Sequence, residues 1–134
     1  MTRRMSCSMT VDAVRDRTKT VTRRHTDTWK DLKPGDRLIL IEKGMGLPKG
    51  AKQVVLTEVK VVDVRVEPLH LIDDDECERE GFPDMEPYEF VRMWLDSHGY
   101  GRLVAQNDVY AVKCRRIEWR YLNEGPGEDQ GTLL

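Results

Sequence analysis

The sequence predicts an α+β domain, a small and partly closed β-barrel with short helices packed at its openings. Three observations predict it. Strand-like apolar alternation occupies both ends of the chain, with helical spacing between. The longest alternation changes parity midway: Val59 and Val61 give way near Val62 and Asp63 to Val64 and Val66, the mark of a bulge where a sheet curls. The C-terminal alternation shifts likewise, from Val112 and Cys114 to Ile117, Trp119 and Tyr121.

The elements follow in order. Residues 5–9 alternate apolar and small side chains as a strand does. Thr10 is placed to cap a short helix over 11–17, with Asp12 in its first turn. A cationic segment follows at once. The turn Pro34-Gly35-Asp36 leads into an apolar strand over 37–42, and Gly44, Gly46, Pro48 and Gly50 make the next stretch a loop. A long bent strand, or pair of strands, covers 54–66.

Acids at 73–76 open a short helix over 73–80, and Gly81 stops it. Residues 86–98 form a second helix whose Phe90, Val91 and Trp94 share a face. The last strand spans 109–121. At 134 residues the chain suffices for one domain with one core. We assign it to residues 1–122 and read 123–134, rich in Gly, Glu and Asp, as a flexible tail.

Charge is unevenly spread. The net charge is only −2, yet Arg3 through Arg37 load the first quarter with cations while Asp73 through Glu89 load the middle with acids. Tight nonspecific binding to duplex nucleic acid needs many phosphate contacts, so a near-neutral chain points to a local site. No stretch reaches the roughly 18 apolar residues of a membrane span, and Met1-Thr2-Arg3-Arg4 leads into no apolar signal core. The expected location is cytoplasmic, with no membrane partner.

Cys7, Cys77 and Cys114 are odd in number and unpaired by spacing, so neither a disulfide framework nor a zinc knuckle is signalled. Cys7 and Cys114 read as small core residues. His25, His70 and His98 lack ligand spacing; no metal and no cofactor is expected. Asp73-Asp74-Asp75 is explained by its place at a helix start.

The densest chemistry lies in Arg17-Thr18-Lys19-Thr20-Val21-Thr22-Arg23-Arg24, which packs four cations and three hydroxyls into eight positions. Taken with the order strand, helix, Lys19-Thr20-Val21-Thr22, Arg24, Trp29, Pro34-Gly35-Asp36, then Glu80-Gly81-Phe82, a helix and a final strand, the chain resembles the ASCH domain, a member of the PUA-like superfamily. The likeness spans roughly residues 5–121. It implies a β-barrel whose cationic cleft binds RNA, single-stranded nucleic acid or a nucleotide-like ligand. Some small members are amidohydrolases that remove the acyl group of N4-acetylcytidine with a Lys, a Thr and a Glu. By motif those fall here on Lys19, Thr22 and Glu80. The loop over 44–50, an extra arginine and the tail depart from the compact hydrolases, and a shift of one helical turn would put Glu76 in place of Glu80.

Amide hydrolysis needs a nucleophile, a base and a donor where the oxyanion develops. Lys19 and Thr22 would face opposite ways along an ideal strand, so their convergence requires a turn at Thr20 or Val21. Glu80 then serves as base for Thr22 or a water, with Lys19 at the oxyanion; the alternative makes Lys19 the base, and an ordinary Lys19–Glu80 ion pair fixing a helix is the bland reading. Thr20, Arg23, Arg24 and Trp29 are the candidate ligand contacts. Of the adjacent arginines one is expected to reach ligand and the other solvent, and Trp29 is either a stacking platform or a core anchor. Two functions remain: an RNA- or nucleotide-binding module, and an amidohydrolase of an acylated cytidine or related nucleoside. The barrel serves both.

Overall fold

The computed structural model describes residues 2–44, 46–100 and 109–122. The expected tail over 123–134 and part of the loop over 44–50 lie outside the described residues. The elements are β1 (Thr2–Ser6), α1 (Val11–Arg15), β2 (Val21–Arg24), β3 (Arg37–Ile41), β4 (Val55–Pro68), α2 (Asp74–Glu80), α3 (Pro87–Ser97) and β5 (Lys113–Tyr121), with 3₁₀ turns at Leu69–Leu71 and Val109–Ala111.

One mixed sheet carries the domain, in the order β1-β3-β4-β5-β2. β1 runs parallel to β3, and the other pairings are antiparallel. The expected barrel is not formed: among the described residues β1 and β2 remain the two edges and do not pair. A side chain bridges them instead, as Arg24 Nη2 donates to the Ser6 carbonyl at 2.7 Å. β1 also starts earlier than residue 5, because its parallel register with β3 engages Thr2 through Ser6.

The parity change in β4 is a bulge. Val61 pairs with Trp119 and Asp63 with Glu118, leaving Val62 unpaired and 40% exposed. The change in β5 has another cause. Its pairing is continuous from Lys113 to Tyr121, but both of its faces are covered, so Ile117 and Trp119 join one core while Cys114 and Arg116 are buried on the other side. The first core packs α1, through Val14, against Leu38, Leu40, Val59 and Val61. The second joins Phe90, Trp94 and Leu95 of α3 to Leu69, Cys77 and Cys114.

Local caps follow the sequence with one exception. Asp73 accepts from Glu76 N at 2.8 Å at the start of α2. Gly81 ends that helix at φ 102°, where a Cβ would be strained, and Glu86 and Glu89 form a reciprocal capping box on α3. Thr10, in contrast, makes no side-chain cap on α1. That helix ends at Arg15, two residues before Arg17, whose φ of 66° takes the chain out of the helical region. No described helix is long and apolar enough to cross a membrane.

Candidate functional site

A cavity of about 210 Å³ lies between the end of β1, strand β2 and helices α2 and α3. Lys19, Thr22, Arg23, Arg24 and Glu80 all line it. Lys19 precedes β2, so strand alternation does not separate it from Thr22. Its backbone is fixed on both sides: Lys19 N donates to Ala13 O at 3.0 Å, and Lys19 O accepts from Trp119 Nε1 at 3.1 Å and from the Tyr121 hydroxyl. These bonds aim the side chain toward α2. There Lys19 Nζ donates to the Glu80 carbonyl at 2.6 Å and lies 3.3 Å from Glu80 Oε1.

The pair is 3–4% exposed at its side chains, so water screens it little. At 3.3 Å the attraction is about 5 kcal/mol for an effective dielectric near 20. Glu80 holds a second cation through its other oxygen, Arg23 Nη1 donating to Oε2 at 3.1 Å. Of the two acids, Glu80 lines the cavity and Glu76 does not. They stand one turn apart, and Arg23 Nη2 donates to Glu76 Oε1 at 2.6 Å.

A further network extends from Arg23 that single-residue reasoning missed. Arg116 donates to Glu76 through Nε at 2.6 Å and Nη2 at 3.2 Å, and to Glu118 through Nη1 at 3.0 Å. Burial alone would raise the Glu76 carboxyl, but the hydrogen bonds from Arg116 and Arg23, with their charges, lower it to about 2. Burial alone would lower the Arg23 guanidinium; Glu80 and Glu76 overturn that and raise it. Arg23 is buried and Arg24 half-buried, so neither is the solvated arginine that strand alternation led us to expect. The Arg23 Nε is buried without a hydrogen-bond partner among the described residues.

Thr22 is buried on the cavity wall, its hydroxyl accepting from Arg24 Nε at 3.3 Å. Arg24 has no carboxylate partner among the described residues, whereas Lys19 pairs with Glu80 and Arg23 with Glu67, Glu76 and Glu80. Two candidate contacts lie outside the lining. The Thr20 hydroxyl accepts from Arg79 Nε at 3.1 Å, and its backbone N–H goes to Arg79 O at 2.8 Å, so Thr20 ties β2 to α2. Trp29 packs against the first core, with the Arg3 guanidinium 4.1 Å from its ring centroid. Trp29 is a core anchor, and neither residue touches the cavity.

The α3 side of the wall is largely apolar and aromatic, while Ser6, Ser8 and Thr10 line the cavity from the β1 end. Phe82, Phe90 and Trp94 line it, the indole Nε1 of Trp94 donating to Arg23 O at 3.0 Å. His98, a bland residue by spacing, stacks on Trp94 at 3.8 Å between centroids and also lines the cavity. The i, i+4 spacing of Trp94 and His98 is the signal that would have found this pair. Cys7 also lines the cavity. Burial pushes the Cys7 thiol up, against the pull of Lys19 and Arg24, so it is no ready thiolate.

The fold is shared with solved structures. A hypothetical protein matches at 20% identity and TM-score 0.60, over 91% of this chain and 100% of its own. A protein of Enterococcus faecalis V583 in the DUF984 family matches at 14% and 0.58, over 90% and 78%. An ASCH domain from Lactobacillus crispatus JV V101 matches at 10% and 0.55, over 90% and 79%. The chain therefore has an ASCH-like fold. It matches no family model and no curated protein.

Proposed function

We propose that the cavity binds the base of a nucleoside or nucleotide. The observation that carries this reading is the pairing, within about 210 Å³, of the buried Lys19–Glu80 couple with an aromatic wall of Phe82, Phe90 and Trp94. Ligand sites join mostly apolar walls to a few fixed polar groups, and drug-sized ligands occupy about 300–1,000 Å³. The smaller volume suits one base rather than a stacked run. Lys19 supplies a donor and Glu80 an acceptor to its edge, and the uncompensated Arg24 supplies charge toward a sugar or phosphate. Calorimetric titration with cytidine, N4-acetylcytidine and cytidine monophosphate tests it. Saturable binding to the wild type, weakened at least tenfold by Lys19→Met, is expected; no heat with any of the three from folded protein overturns it.

The same geometry favours a second reading, hydrolysis of an N4-acyl cytidine. Lys19 Nζ lies beside Glu80, and the Thr22 hydroxyl shares the cavity. With the acyl carbonyl at Lys19, a water or Thr22 Oγ would add to the carbonyl carbon. Each Glu80 oxygen keeps a lone pair beyond its cation and would take the proton, passing it to N4 as the C–N bond breaks. One water is consumed overall, and the products are cytidine and a carboxylate. Chromatography of N4-acetylcytidine incubated with the protein decides it: cytidine release lost in Glu80→Gln supports this step, and no release by the wild type discards it.

A further inference from the structure

The cavity has a closed floor and an open rim, and the two differ in chemistry. Of its lining residues Lys19, Thr22, Glu80 and Trp94 are buried, whereas Ser8, Met9, Ser97 and His98 are exposed. The exposed rim is thus made by the turn after β1 and by the end of α3, and it holds no lysine or arginine. Arg24 is half-buried, and its Nε and Nη2 already donate to the Thr22 hydroxyl and the Ser6 carbonyl. The last turn of α3 contains Asp96 and no basic residue. A helix C-terminus carries partial negative charge on its unpaired carbonyls, so an anion gains nothing at this rim.

His98, in contrast, is held as an acceptor. Its Nδ1 lies 2.7 Å from the Trp94 carbonyl, which can only accept, so that nitrogen carries the proton. The neutral ring then presents Nε2 as a lone pair, and among the described residues Nε2 has no partner. Stacking on Trp94, 3.8 Å between centroids and 19° between planes, fixes the ring at the cavity wall. An acceptor fixed at the mouth selects a ligand that brings a donor.

We infer that His98 reads the sugar: its Nε2 accepts from a ribose hydroxyl, and the ligand is a free ribonucleoside rather than a phosphorylated one. This role rests on the base-binding reading. With the base at Lys19 and Glu80, a cavity of about 210 Å³ has room for one ring, and the sugar falls at the rim. A ribose there offers hydroxyl donors to the imidazole lone pair. A phosphate offers acceptor oxygens and negative charge, which neither the lone pair nor the helix end favours.

The test is calorimetric titration of the full chain with cytidine, 2′,3′-dideoxycytidine and cytidine monophosphate. Cytidine should bind about fivefold more tightly than dideoxycytidine, the worth of one net hydrogen bond, and cytidine monophosphate no more tightly than cytidine. In His98→Phe, which keeps a ring on Trp94 without the acceptor, the fivefold ratio should fall to about one. Nitrogen NMR of the wild-type imidazoles gives a second measurement that needs no variant: at equal occupancy the Nε2 signal of His98 should move with cytidine and stay with dideoxycytidine. Equal wild-type affinity for these two ligands, a ratio kept in folded His98→Phe, or an Nε2 signal that ignores cytidine overturns the sugar role and leaves the base-binding reading standing. Cytidine monophosphate bound tenfold more tightly than cytidine also overturns it and gives the mouth to a phosphate. No binding of any of the three by folded wild type overturns the base-binding reading and the sugar role together.

Discussion

Lys19 and Glu80, 61 residues apart, meet twice: the ammonium donates to the Glu80 carbonyl at 2.6 Å and pairs with its carboxylate at 3.3 Å. Glu80 is the last residue of α2, and a carbonyl there has no partner within its helix. The cation therefore satisfies a helix end and a side chain together, which fixes α2 to the segment that enters β2. The bland and the chemical readings of this pair describe the same contact.

That double role predicts unequal costs. Removing one partner of a buried ion pair costs about 3–5 kcal/mol. Lys19→Met should lie in that range because it orphans the carbonyl and leaves the carboxylate to Arg23 alone. Glu80→Gln, which leaves the carbonyl contact in place, should cost less by about 1 kcal/mol or more. Urea unfolding of both variants measures the difference; equal losses would mean that the carbonyl bond contributes nothing.

Thr22 should separate chemistry from stability. Among the described residues its hydroxyl engages only a 3.3 Å bond from Arg24, so Thr22→Val should change stability by no more than about 1 kcal/mol. If the threonine attacks the acyl carbon, the same change should lower cytidine release about a hundredfold or more. Retained turnover with intact stability would hand the attack to water.

The Glu76 carboxyl gives a pH signature. Its folded value of about 2 lies below the ordinary 4.5, so its contribution is fully present above pH 4.5 and is lost as the pH falls toward 2. The shift corresponds to about 3 kcal/mol at 1.36 kcal/mol per unit, and to roughly 2 after discounting for solvent screening. Urea midpoints from pH 6 to pH 3 should therefore fall steeply for the wild type. Glu76→Gln should start lower and fall less.

Gly81 holds the turn that delivers Glu80. Its φ is +102°, and an added Cβ would lie 3.0 Å from both Ala13 Cβ and Thr10 Cγ2. Gly35 has a similar φ of +96° but nothing within 4 Å of the added atom. Gly35→Ala should cost only backbone strain, about 1 kcal/mol, and Gly81→Ala about 2 kcal/mol or more. Thermal unfolding compares them, and cytidine titration should weaken in the Gly81 variant alone.

The chain's own pattern determined the elements whose signals are local. Asp73 and Gly81 bound α2 because a carboxylate caps free N–H groups and a glycine tolerates positive φ. The parity change at Val62 marks the bulge because side chains alternate strictly along a strand. The family resemblance, rather than any local signal, named Lys19, Thr22 and Glu80 together, and all three line one cavity.

What covers each face was decided only in three dimensions. Alternation places Arg23 and Arg24 on opposite sides of β2, but the packing of α2 against one side buries Arg23 among Glu67, Glu76 and Glu80, while Arg24 is left to bridge Thr22 and Ser6. Thr20 and Trp29 fall outside the cavity because Arg79 and the first core engage them. Among the described residues the sheet stays open, and Arg24 rather than a backbone ladder reaches from one edge to the other. Each of these outcomes depends on a partner distant in sequence, and neither spacing nor composition encodes which carboxylate, helix or core will meet a given side chain.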